Sequence, residues 1–352
     1  MPFNDQEIAD AGLAVLDHYV KNKPVDQIAV DRILLSALQA AKKTVPAAKQ
    51  YIVEQLRYTY NSNFMWFNGA QQVTYNRKQT LAQAQYPWRS AHDGFGLDED
   101  RLVQHGIAVD DNGPGGQASR AEFEILTNIM MEQTESLRLG WEERFSKHAH
   151  LNGAQSSEAI AGLDFLVSTT PTTGTVGGIN RATAGNAYWR NHASLNLDNT
   201  TTTGNILDQM ELVWRNCRRN GGRPNKIIVG STYLDEFRAH MLKSYGRMDF
   251  GQVGFSRVQT GTDMITFHGV EMDWAPEFSE LDSEFGGSPT WEKRCYFLSI
   301  GDNIRLRPMK GQDMKNRKPP RPYDRYEHYF ALTWRGALTM NRGNQNGVMG
   351  VD

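Results

Sequence analysis

The feature that most restricts the fold of this chain is a single long helical pattern over residues 118–147. Ser119 and Glu122 have the Ser-x-x-Glu spacing of a capping box, in which each side chain satisfies a backbone N–H group at the start of a helix. Apolar residues then recur on one helical face: Phe123, Leu126, Met130, Leu137 and Trp141. A helix of this length would extend about 40 Å, much more than the average helix of about 12 residues. We therefore predict one continuous helix that serves as a structural axis.

The residues before position 61 are predicted to form a helical arm. Two segments have apolar residues at helical spacing, and a third follows Pro46 and carries Ile52 and Leu56. The first two are marked by Ile8, Val15 and Tyr19, and by Val30, Ile33, Leu34 and Leu38. These patterns predict three short helices that pack on one another or dock elsewhere as an arm.

The next segment, 61–116, has the composition of extended structure. Two stretches, NFMWFNGAQQVTYNR and DRLVQHGIAVDD, are candidate strands, with the polar insert YPWRSAHDGFGLDED between them. The breaker cluster DDNGPGGQ closes the segment. Because long loops without a core of their own are uncommon in compact domains, we predict an extended two-stranded excursion that projects from the body of the protein.

The second half of the chain mixes helices and strands. Residues 204–244 have the order helix, strand, helix, and Ser231 is placed to cap the second helix. Three strand regions follow, MITFHGVEMDW, RCYFLSIGDNIRLRPM and EHYFALTWRGALTMNR, and the last two alternate as half-buried antiparallel strands do. The predicted fold class is α+β, with one dominant helix and a terminal antiparallel sheet.

Catalytic and cofactor-binding patterns are missing from the sequence. It has no Gly-x-Ser-x-Gly elbow, Walker A loop, His-Glu-x-x-His or Cys-x-x-Cys motif. The acidic run DGFGLDED lacks the ligand spacing of a calcium loop, so we interpret it as a solvated turn. Cys217 lies on an apolar helix face, where a thiol acts as a small hydrophobe. We therefore predict no catalytic residue, no cofactor and no metal site.

Composition argues against several other classes of protein. The formal net charge is -2, whereas proteins that coat DNA are usually more basic. No apolar run reaches the roughly 18 residues of a transmembrane helix, and the first residues, MPFNDQEIADAG, lack the regions of a secretory signal. Only Cys217 and Cys295 carry thiols, which indicates a reducing compartment and no disulfide framework.

The segment from Gly177 to Asn191, GGINRATAGNAYWRN, is called the glycine-rich segment and carries many groups that make contacts. Glycine and asparagine tolerate irregular backbone. Arg181 and Arg190 supply planar cations, and Tyr188 and Trp189 supply stacking faces. We predict that this segment contacts another molecule. The alternative is an ordinary turn within the chain, with Trp189 in the local core.

Two blocks of opposite charge lie further along the chain. Residues 270–285 carry six carboxylates and no Lys or Arg, and residues 305–325 carry eight Lys or Arg against Asp313 and Asp324. The simplest interpretation is charged surface loops. The basic block is also suited to bind phosphate, and the two blocks are suited to pair between neighbouring copies.

The order of these parts resembles that of the major capsid protein of tailed bacteriophages, the Hong Kong 97-like fold. The stretch DFLVSTTPTTGTVGGINRATAGNAYWRNHA is also similar to a sequence in one branch of those capsid proteins. There, a phrase of the form GG-I-N-R…WRN commonly follows the long helix. The detailed similarity covers residues 164–193, whereas the order of elements covers most of the chain.

The resemblance implies a division of the chain into five parts. These are an N-terminal helical arm (1–60), an extended E-loop (61–116), a peripheral domain on the long spine helix (117–203), an axial domain (204–299) and a return to the peripheral domain (300–352). The arm is more helical than that of the prototype and shorter than the fused scaffold of some members, which favours a separate scaffold protein. Lys78 is the only lysine in the E-loop range, but no sequence feature marks a partner for a covalent cross-link.

The resemblance further implies a structural protein that assembles into the icosahedral shell of a phage. Its partners would be copies of itself, as hexamers and pentamers, portal, scaffold and decoration proteins and, non-specifically, packaged DNA, with no membrane. It would reside in the virion after assembly in the cytoplasm of the bacterial host. Two other functions remain open: a nucleic-acid-binding protein that uses 305–325, and an unrecognised hydrolase that uses the carboxylates at 93–100.

A shell subunit meets other copies on every side, so aromatic and arginine residues of its loops should form well-packed contacts. The aromatic candidates come from the excursion and the glycine-rich segment, and the charged ones from that segment and the two charge blocks. The full set of predicted contact residues is Trp66, Phe67, Trp88, Arg181, Trp189, Arg190, Glu277, Glu280, Arg317 and Arg321. Phe64 and Tyr75 add to the aromatics of the excursion that neighbouring copies should cover.

Overall fold

The structure, a computed structural model, describes residues 30–46, 49–98, 120–198, 205–245, 265–317 and 327–352 together with isolated positions. Its α-helices are α1 (Ile33–Ala40), α2 (Arg120–His150), α3 (Leu163–Leu166), α4 (Ile206–Arg219), α5 (Ser231–Tyr245) and α6 (Glu277–Glu284). Its strands are β1 (Tyr51–Arg57), β2 (Leu81–Pro87), β3 (Arg89–Asp98), β4 (Thr175–Val176), β5 (Ile179–Asn180), β6 (His192–Leu197), β7 (Lys226–Val229), β8 (Ile265–Phe267), β9 (Val270–Trp274), β10 (Arg294–Leu298), β11 (Ile304–Pro308), β12 (Lys315–Arg317), β13 (Glu327–Met340) and β14 (Gly347–Val351). Short 3-10 helices cover Ala184–Trp189, Trp291–Lys293 and Gly343–Gln345.

The long helix predicted from sequence is confirmed. α2 is continuous over 31 residues, so no break interrupts it between Glu122 and Trp141. On its solvent side, Arg138 lies 2.7 Å from carboxylate oxygens of both Glu135 and Glu142, three residues before it and four after it. Such pairs add a few tenths of a kcal/mol each to a helix.

Some sequence predictions fall outside the described residues. They include the helix predicted around Ile8, Val15 and Tyr19, the capping residue Ser119, most of the strand candidate DRLVQHGIAVDD and the contact candidate Arg321. The second predicted helix of the arm is confirmed as α1, which buries Leu34 and Leu38.

The third predicted helix of the arm is wrong, because the chain after Pro46 forms strand β1. β1 pairs antiparallel with β2, so that Ile52 lies opposite Tyr86 and Leu56 lies opposite Ala82. Ile52 and Leu56 are both buried. Residues four apart share a face in a strand as well as in a helix, so their spacing alone did not distinguish the two.

The predicted excursion therefore begins earlier along the chain than expected. Its paired strands are β1 and β2, and residues 58–80, which link them, contain no regular strand. The strand candidate NFMWFNGAQQVTYNR lies in this link and is not a strand. Antiparallel pairing of residues 51–57 with 81–87 forms the stem from which the link extends.

A six-stranded sheet holds the main core of the described residues. The strand order is β6-β14-β10-β7-β9-β8, with parallel pairing of β6 with β14 and of β7 with β9, and antiparallel pairing elsewhere. The helix–strand–helix unit predicted at 204–244 is confirmed as α4, β7 and α5. Asn205 begins α4 by accepting hydrogen bonds from the backbone N–H groups of Leu207 and Asp208. The apolar face of α4 is buried in this core: Ile206, Met210, Val213, Trp214 and Cys217.

The strands predicted near the end of the chain are also present, and they are divided between the six-stranded sheet and a second sheet. β13 pairs antiparallel with β12 through Ala331–Thr333 and with β11 through Gly336–Met340. β14 then returns to the six-stranded sheet between β6 and β10. The last strand thus shares a sheet with β7, β8, β9 and β10.

The chain groups into two compact units. One comprises residues 1–30, 90–144 and 311–334, and in it the ring of Phe95 stacks on that of Phe330 at 5.4 Å. The other comprises residues 31–89, 145–310 and 335–352 and contains the β1–β2 excursion and the six-stranded sheet. No helix in the described part of the chain combines the length and apolar character that a bilayer span requires.

Candidate functional site

The most exposed aromatic side chains of the described residues lie in the link of the excursion, residues 58–80, which we call the aromatic tip. Trp66 is 87% exposed, Tyr75 is 88% exposed and Phe67 is 65% exposed. Phe64 and Tyr60 are exposed as well, and the Phe64 ring meets the Trp66 ring edge to face at 5.4 Å. An exposed aromatic group of this size is typical of an interaction site.

Hydrogen bonds join the two sides of the aromatic tip, residues 61–63 on one side and residues 76–78 on the other. The backbone N–H of Lys78 donates to Asn61 Oδ1 at 3.2 Å, and Lys78 Nζ donates to the carbonyl of Ser62 at 3.1 Å. Asn63 Nδ2 donates to the carbonyl of Asn76 at 2.8 Å. A loop whose two sides are already joined loses less conformational freedom when a partner covers it.

The stem of the excursion rests on the glycine-rich segment. The backbone N–H of Gln85 in β2 donates to the carbonyl of Gly177 at 2.9 Å. A Cβ atom built on Gly177 would lie 2.9 Å from the Cβ of Ala84, which is fully buried. The ring of Tyr58 stacks on that of Tyr188 at 5.1 Å. The segment therefore acts as a platform for the stem.

Arg181, a predicted contact residue, is fully buried inside the chain. Its guanidinium Nη2 donates to the carbonyl of Leu166, and its backbone N–H donates to the carbonyl of Gly174 at 2.9 Å. Burial lowers the pKa of Arg181 to about 10. The prediction that Arg181 contacts another molecule is therefore wrong.

Trp189 and Arg190 also serve the fold of their own chain. Trp189 is buried, and its Nε1–H donates to the carbonyl of Val176 at 2.9 Å. Arg190 Nε donates to the carbonyl of Arg181 at 2.7 Å, and its Nη2 lies 3.2 Å from the carbonyl of Ala182. The alternative of an internal turn with Trp189 in the local core is thus correct, and the predicted external contact of Trp189 is wrong.

Glu277, the central carboxylate of the acidic block, is fully buried at the start of α6. Its Oε2 accepts a hydrogen bond from Ser146 Oγ at 2.7 Å and lies 3.6 Å from Arg32 Nη1. Its Oε1 lies 3.4 Å from Nε2 of buried His150. A carboxylate enclosed by these groups is inaccessible to another copy, so the predicted role of Glu277 in subunit contact is wrong.

Glu280 and Glu284 pair with cations of the same chain. Glu280 Oε2 lies 3.1 Å from Arg32 Nη1 and 3.1 Å from Lys147 Nζ, and Glu284 Oε1 lies 2.7 Å from Lys147 Nζ. Burial raises the pKa of Glu280, but hydrogen bonds from Lys147 and Arg32 outweigh it and hold that pKa below its ordinary value. The predicted contact residue Glu280 is thus already neutralised internally.

Other carboxylates of the acidic block have internal partners as well. Asp273 Oδ2 lies 2.5 Å from Lys226 Nζ. Asp282 accepts hydrogen bonds from the backbone N–H groups of Trp291 and Glu292 at 2.7 and 2.9 Å. The block 270–285 is therefore largely used inside the subunit, which removes the basis for its pairing with a neighbour.

The basic block is divided between internal and exposed residues. Arg305 Nε donates to the carbonyl of Gly301, and Arg307 Nη2 lies 2.5 Å from Glu54 Oε1. Arg317 is exposed and donates to Gln312 Oε1 at 2.8 Å. Exposed Lys310 and Lys315 precede it.

Trp88, the remaining aromatic candidate, is half-buried beside the stem. Its Nε1–H donates to the carbonyl of Lys49 at 2.9 Å. Of the predicted contact residues that the structure describes, Trp66, Phe67 and Arg317 are the exposed ones. Their contact with other copies stays a prediction.

The described residues contain no group of three or more His, Cys, Asp or Glu side chains that could hold a metal ion. Burial raises the pKa of the Cys217 thiol to about 12 and also raises that of Cys295. Thiols of this kind are protonated at neutral pH and are poor nucleophiles. The exposed aromatic tip is therefore the best candidate for a functional surface.

Comparison by sequence found no matching family model and no matching curated protein. Comparison by structure found similarity to phage capsids. A chain of the cyanophage A-1(L) capsid asymmetric unit is 14% identical, with a TM-score of 0.57 over 94% of this chain and 96% of that one. The capsid of an empty GTA particle gives a TM-score of 0.57 at 10% identity over 94% and 93% of the two chains. The capsid of Myoviridae phage XM1 gives 0.52 at 10% identity over 94% and 95%.

These similarities extend over nearly the whole length of each chain, so they concern the complete fold. This chain therefore has the capsid fold of those structures, a Hong Kong 97-like fold with a long spine helix and an extended loop.

Proposed function

We propose that this chain, which has a Hong Kong 97-like capsid fold, is a major capsid protein that assembles with copies of itself into the icosahedral shell of a tailed phage. The observation that carries the proposal is the similarity to capsid chains over 94% of its length. The aromatic tip supports it independently, because its own chain leaves Trp66 and Tyr75 almost fully exposed. A shell provides the neighbouring copies that would cover them.

The energetics of the aromatic tip suit repeated contact between subunits. Burial of a large apolar side chain contributes about 1.5–3 kcal/mol. Three such rings, Phe64, Trp66 and Phe67, would therefore contribute several kcal/mol per tip before the cost of association. Because the same contact recurs at each equivalent position of a closed shell, a modest energy per tip is enough.

The role is structural, and the partners follow from the shell. We propose hexamers and pentamers of this chain, joined by portal, scaffold and decoration proteins, with packaged DNA contacted non-specifically. Assembly would take place in the cytoplasm of the bacterial host, and the mature protein would reside in the virion. The two alternative functions have less support, since Arg305 and Arg307 of the basic block are engaged internally.

Electron microscopy of the purified full-length chain tests the proposal. We expect closed particles of uniform diameter, alone or with a co-expressed scaffold. A chain that stays monomeric under every such condition would contradict the proposal.

A double variant, Trp66→Ala with Phe67→Ala, tests the part played by the aromatic tip. We expect it to fold normally and to yield few particles, because both side chains are exposed in the subunit. Gln72→Ala in the same tip is the matched control and should assemble as the wild type does, because this exposed side chain adds little apolar area.

A further inference from the structure

Four arginines form a basic surface at the end of α4 and in the loop after it, which we call the arginine patch. Arg215, Arg218, Arg219 and Arg223 are all exposed. Within the part of the chain that the structure describes, none of them forms an ion pair with a carboxylate. Four guanidinium groups within nine residues, without ion pairs among the described residues, are a concentrated positive charge on a chain whose net charge is -2.

The packing of α4 fixes the direction of three of these arginines. The opposite face of the helix, which includes Trp214 and Cys217, is buried in the core of the six-stranded sheet. Arg215 lies three and four residues before Arg218 and Arg219, so the three share the outer face. At 1.5 Å per residue they extend over about 6 Å of the helix axis. The patch is therefore carried by a rigid element.

The fourth arginine is held by an ordered loop. Gly221 has φ 77°, a left-handed conformation that ends the helix. A Cβ on Gly222 would lie 2.4 Å from the carbonyl of Cys217, so only glycine fits there. Asn225 then donates to and accepts from the backbone of Ile300 at 2.8 and 2.9 Å. Arg223 thus occupies a fixed place beside the end of α4.

The described carboxylates near the arginine patch do not neutralise it, so its guanidinium groups are available to bind an anion. Glu211, one turn before Arg215, is 2.7 Å from His268 Nε2. The exposed carbonyl end of the helix carries partial negative charge, which favours Arg218 and Arg219 at this place and lowers the cost of crowding them. Asp302 is an exposed carboxylate in the turn that follows Ile300, and it forms no ion pair with the four arginines.

We propose that the arginine patch binds the phosphate backbone of double-stranded nucleic acid. The inference rests on the proposed function in one respect, namely that the patch faces the genome inside the shell. Guanidinium groups match phosphate oxygens in a bidentate manner. Trp214, the one large aromatic side chain within this stretch of the sequence, is buried and unavailable for base stacking, so contact is made with phosphates and is independent of sequence.

An acidic surface of a neighbouring copy is the less favoured partner. The largest acidic block of the sequence, 270–285, uses Glu277, Glu280, Glu284 and Asp273 for pairs within its own chain. Each copy therefore brings few free carboxylates from that block to an interface. A packaged duplex, in contrast, presents a phosphate charge about every 1.7 Å of its axis.

Binding of the unassembled full-length chain to a labelled duplex of about 30 base pairs tests the proposal by fluorescence anisotropy at several salt concentrations. Four phosphate contacts predict a fall in affinity of about 10²-fold between roughly 50 and 200 mM salt. The variant with Arg215, Arg218, Arg219 and Arg223 all changed to Gln should lose most of the affinity and most of the salt dependence.

A control variant with the same change in net charge tests whether the loss of DNA affinity comes from the arginine patch itself or from the net charge of the chain. It replaces the exposed cations Lys310, Lys315, Arg317 and Arg335 by Gln. We expect it to keep at least half of the wild-type affinity. Equal losses in both quadruple variants, or a larger loss in the control, would overturn the proposal.

Particle formation is scored separately by electron microscopy of the same variants. We expect the patch variant to form particles like those of the wild-type protein and to bind DNA weakly. A patch variant that binds DNA normally but forms no particles would show a subunit contact instead and overturn the proposal, as would tighter wild-type binding to polyglutamate than to the duplex. Absence of particles from every protein, with the expected DNA affinities, would reject the proposed function but leave the patch assignment intact.

Discussion

The hydroxyl of Ser146 donates a hydrogen bond of 2.7 Å to the carboxylate of Glu277, which is fully buried. Ser146 lies in the last turns of the spine helix α2, and Glu277 begins α6. Arg32, immediately before α1, reaches the same carboxylate. One buried acid thus joins three segments of the subunit that are far apart in sequence.

Substitution of this acid should destabilise the subunit. Glu277→Gln leaves Arg32 paired with Glu280 but removes the buried charged acceptor of the Ser146 hydroxyl, and loss of a hydrogen bond to a charged group costs about 1.5–3 kcal/mol. Urea unfolding of the unassembled subunit measures the change. Glu271→Gln, at an exposed position of the same block, should change the free energy of unfolding by less than about 0.5 kcal/mol. Equal stability of the two variants would contradict the internal role of Glu277.

A pair of neighbouring glycines tests the platform beneath the excursion. Gly177 and Gly178 have φ of 59° and 79°, so alanine at either position is strained. Only Gly177 faces the stem, where a new Cβ would meet Ala84 at 2.9 Å, whereas nothing lies within 4 Å of one at Gly178. Gly177→Ala should therefore lower the free energy of unfolding by about 1–3 kcal/mol more than Gly178→Ala does. Similar values from thermal or urea unfolding would show that the stem does not rest there.

Two tryptophans should respond in opposite ways to the same substitution. Trp189→Phe removes the donor to the Val176 carbonyl and opens a small void, so we expect a loss of about 1–3 kcal/mol in stability. Trp66→Phe at the aromatic tip should leave stability unchanged and reduce particle yield. The measurements are urea unfolding and quantitative sedimentation. A stable Trp189→Phe subunit that fails to assemble would reverse the two assignments.

The subunit should lose stability in mildly acidic solution, partly through His192. Burial lowers the pKa of His192, and the hydrogen bond between its Nε2 and the carbonyl of Asn344 at 3.1 Å offsets only part of this. The folded chain therefore holds the proton less tightly than the unfolded chain does. The contribution of His192 to stability is complete above a pH of about 6.5 and is lost as the pH falls through the lower folded-state pKa.

His192→Gln tests this pH dependence. The variant retains a donor for the Asn344 carbonyl but has no group that titrates near neutral pH. We expect its free energy of unfolding to fall less than that of the wild type as the pH is lowered from about 7.5 to 5. Parallel pH profiles for the two proteins would exclude His192 as a source of the loss.

The elements that sequence alone predicted are those whose local pattern agrees with their packing. The long helix and the α4–β7–α5 unit combine periodic apolar residues with clear boundaries, and both are present. β1 was read as a helix because Ile52 and Leu56 have a spacing that fits either structure. What decides between them is the pairing with β2, which lies about 30 residues further along the chain and has no local signal.

Sequence alone also did not distinguish residues that contact another molecule from residues that contact their own chain. An arginine or tryptophan in a glycine-rich stretch is suited to contact another molecule or the backbone of its own chain, and composition does not distinguish the two. The side chains of Arg181 and Trp189 donate hydrogen bonds to carbonyl groups 15 and 13 residues before them. Glu277 and Glu280 pair with Arg32, more than 240 residues away. Trp66 and Phe67 were predicted to be exposed in the subunit, and they are.

The arginine patch was visible in the sequence as WRNCRRNGGR but was missed there. The stretch reads first as a helical face because Trp214 and Cys217 mark its buried side. Its significance depends on which carboxylates remain free to pair, and only the three-dimensional structure shows where the acids of 270–285 are used.

A cryo-electron microscopy reconstruction of the assembled particle tests most directly whether this chain forms a shell through its aromatic tip. We expect a closed icosahedral shell of this chain in which Trp66 and Phe67 are covered by a neighbouring copy, while Glu277 and Trp189 keep their partners within the subunit. A shell in which the aromatic tip remains exposed to solvent on every copy, or particles that contain no repeating subunit of this fold, would contradict this expectation.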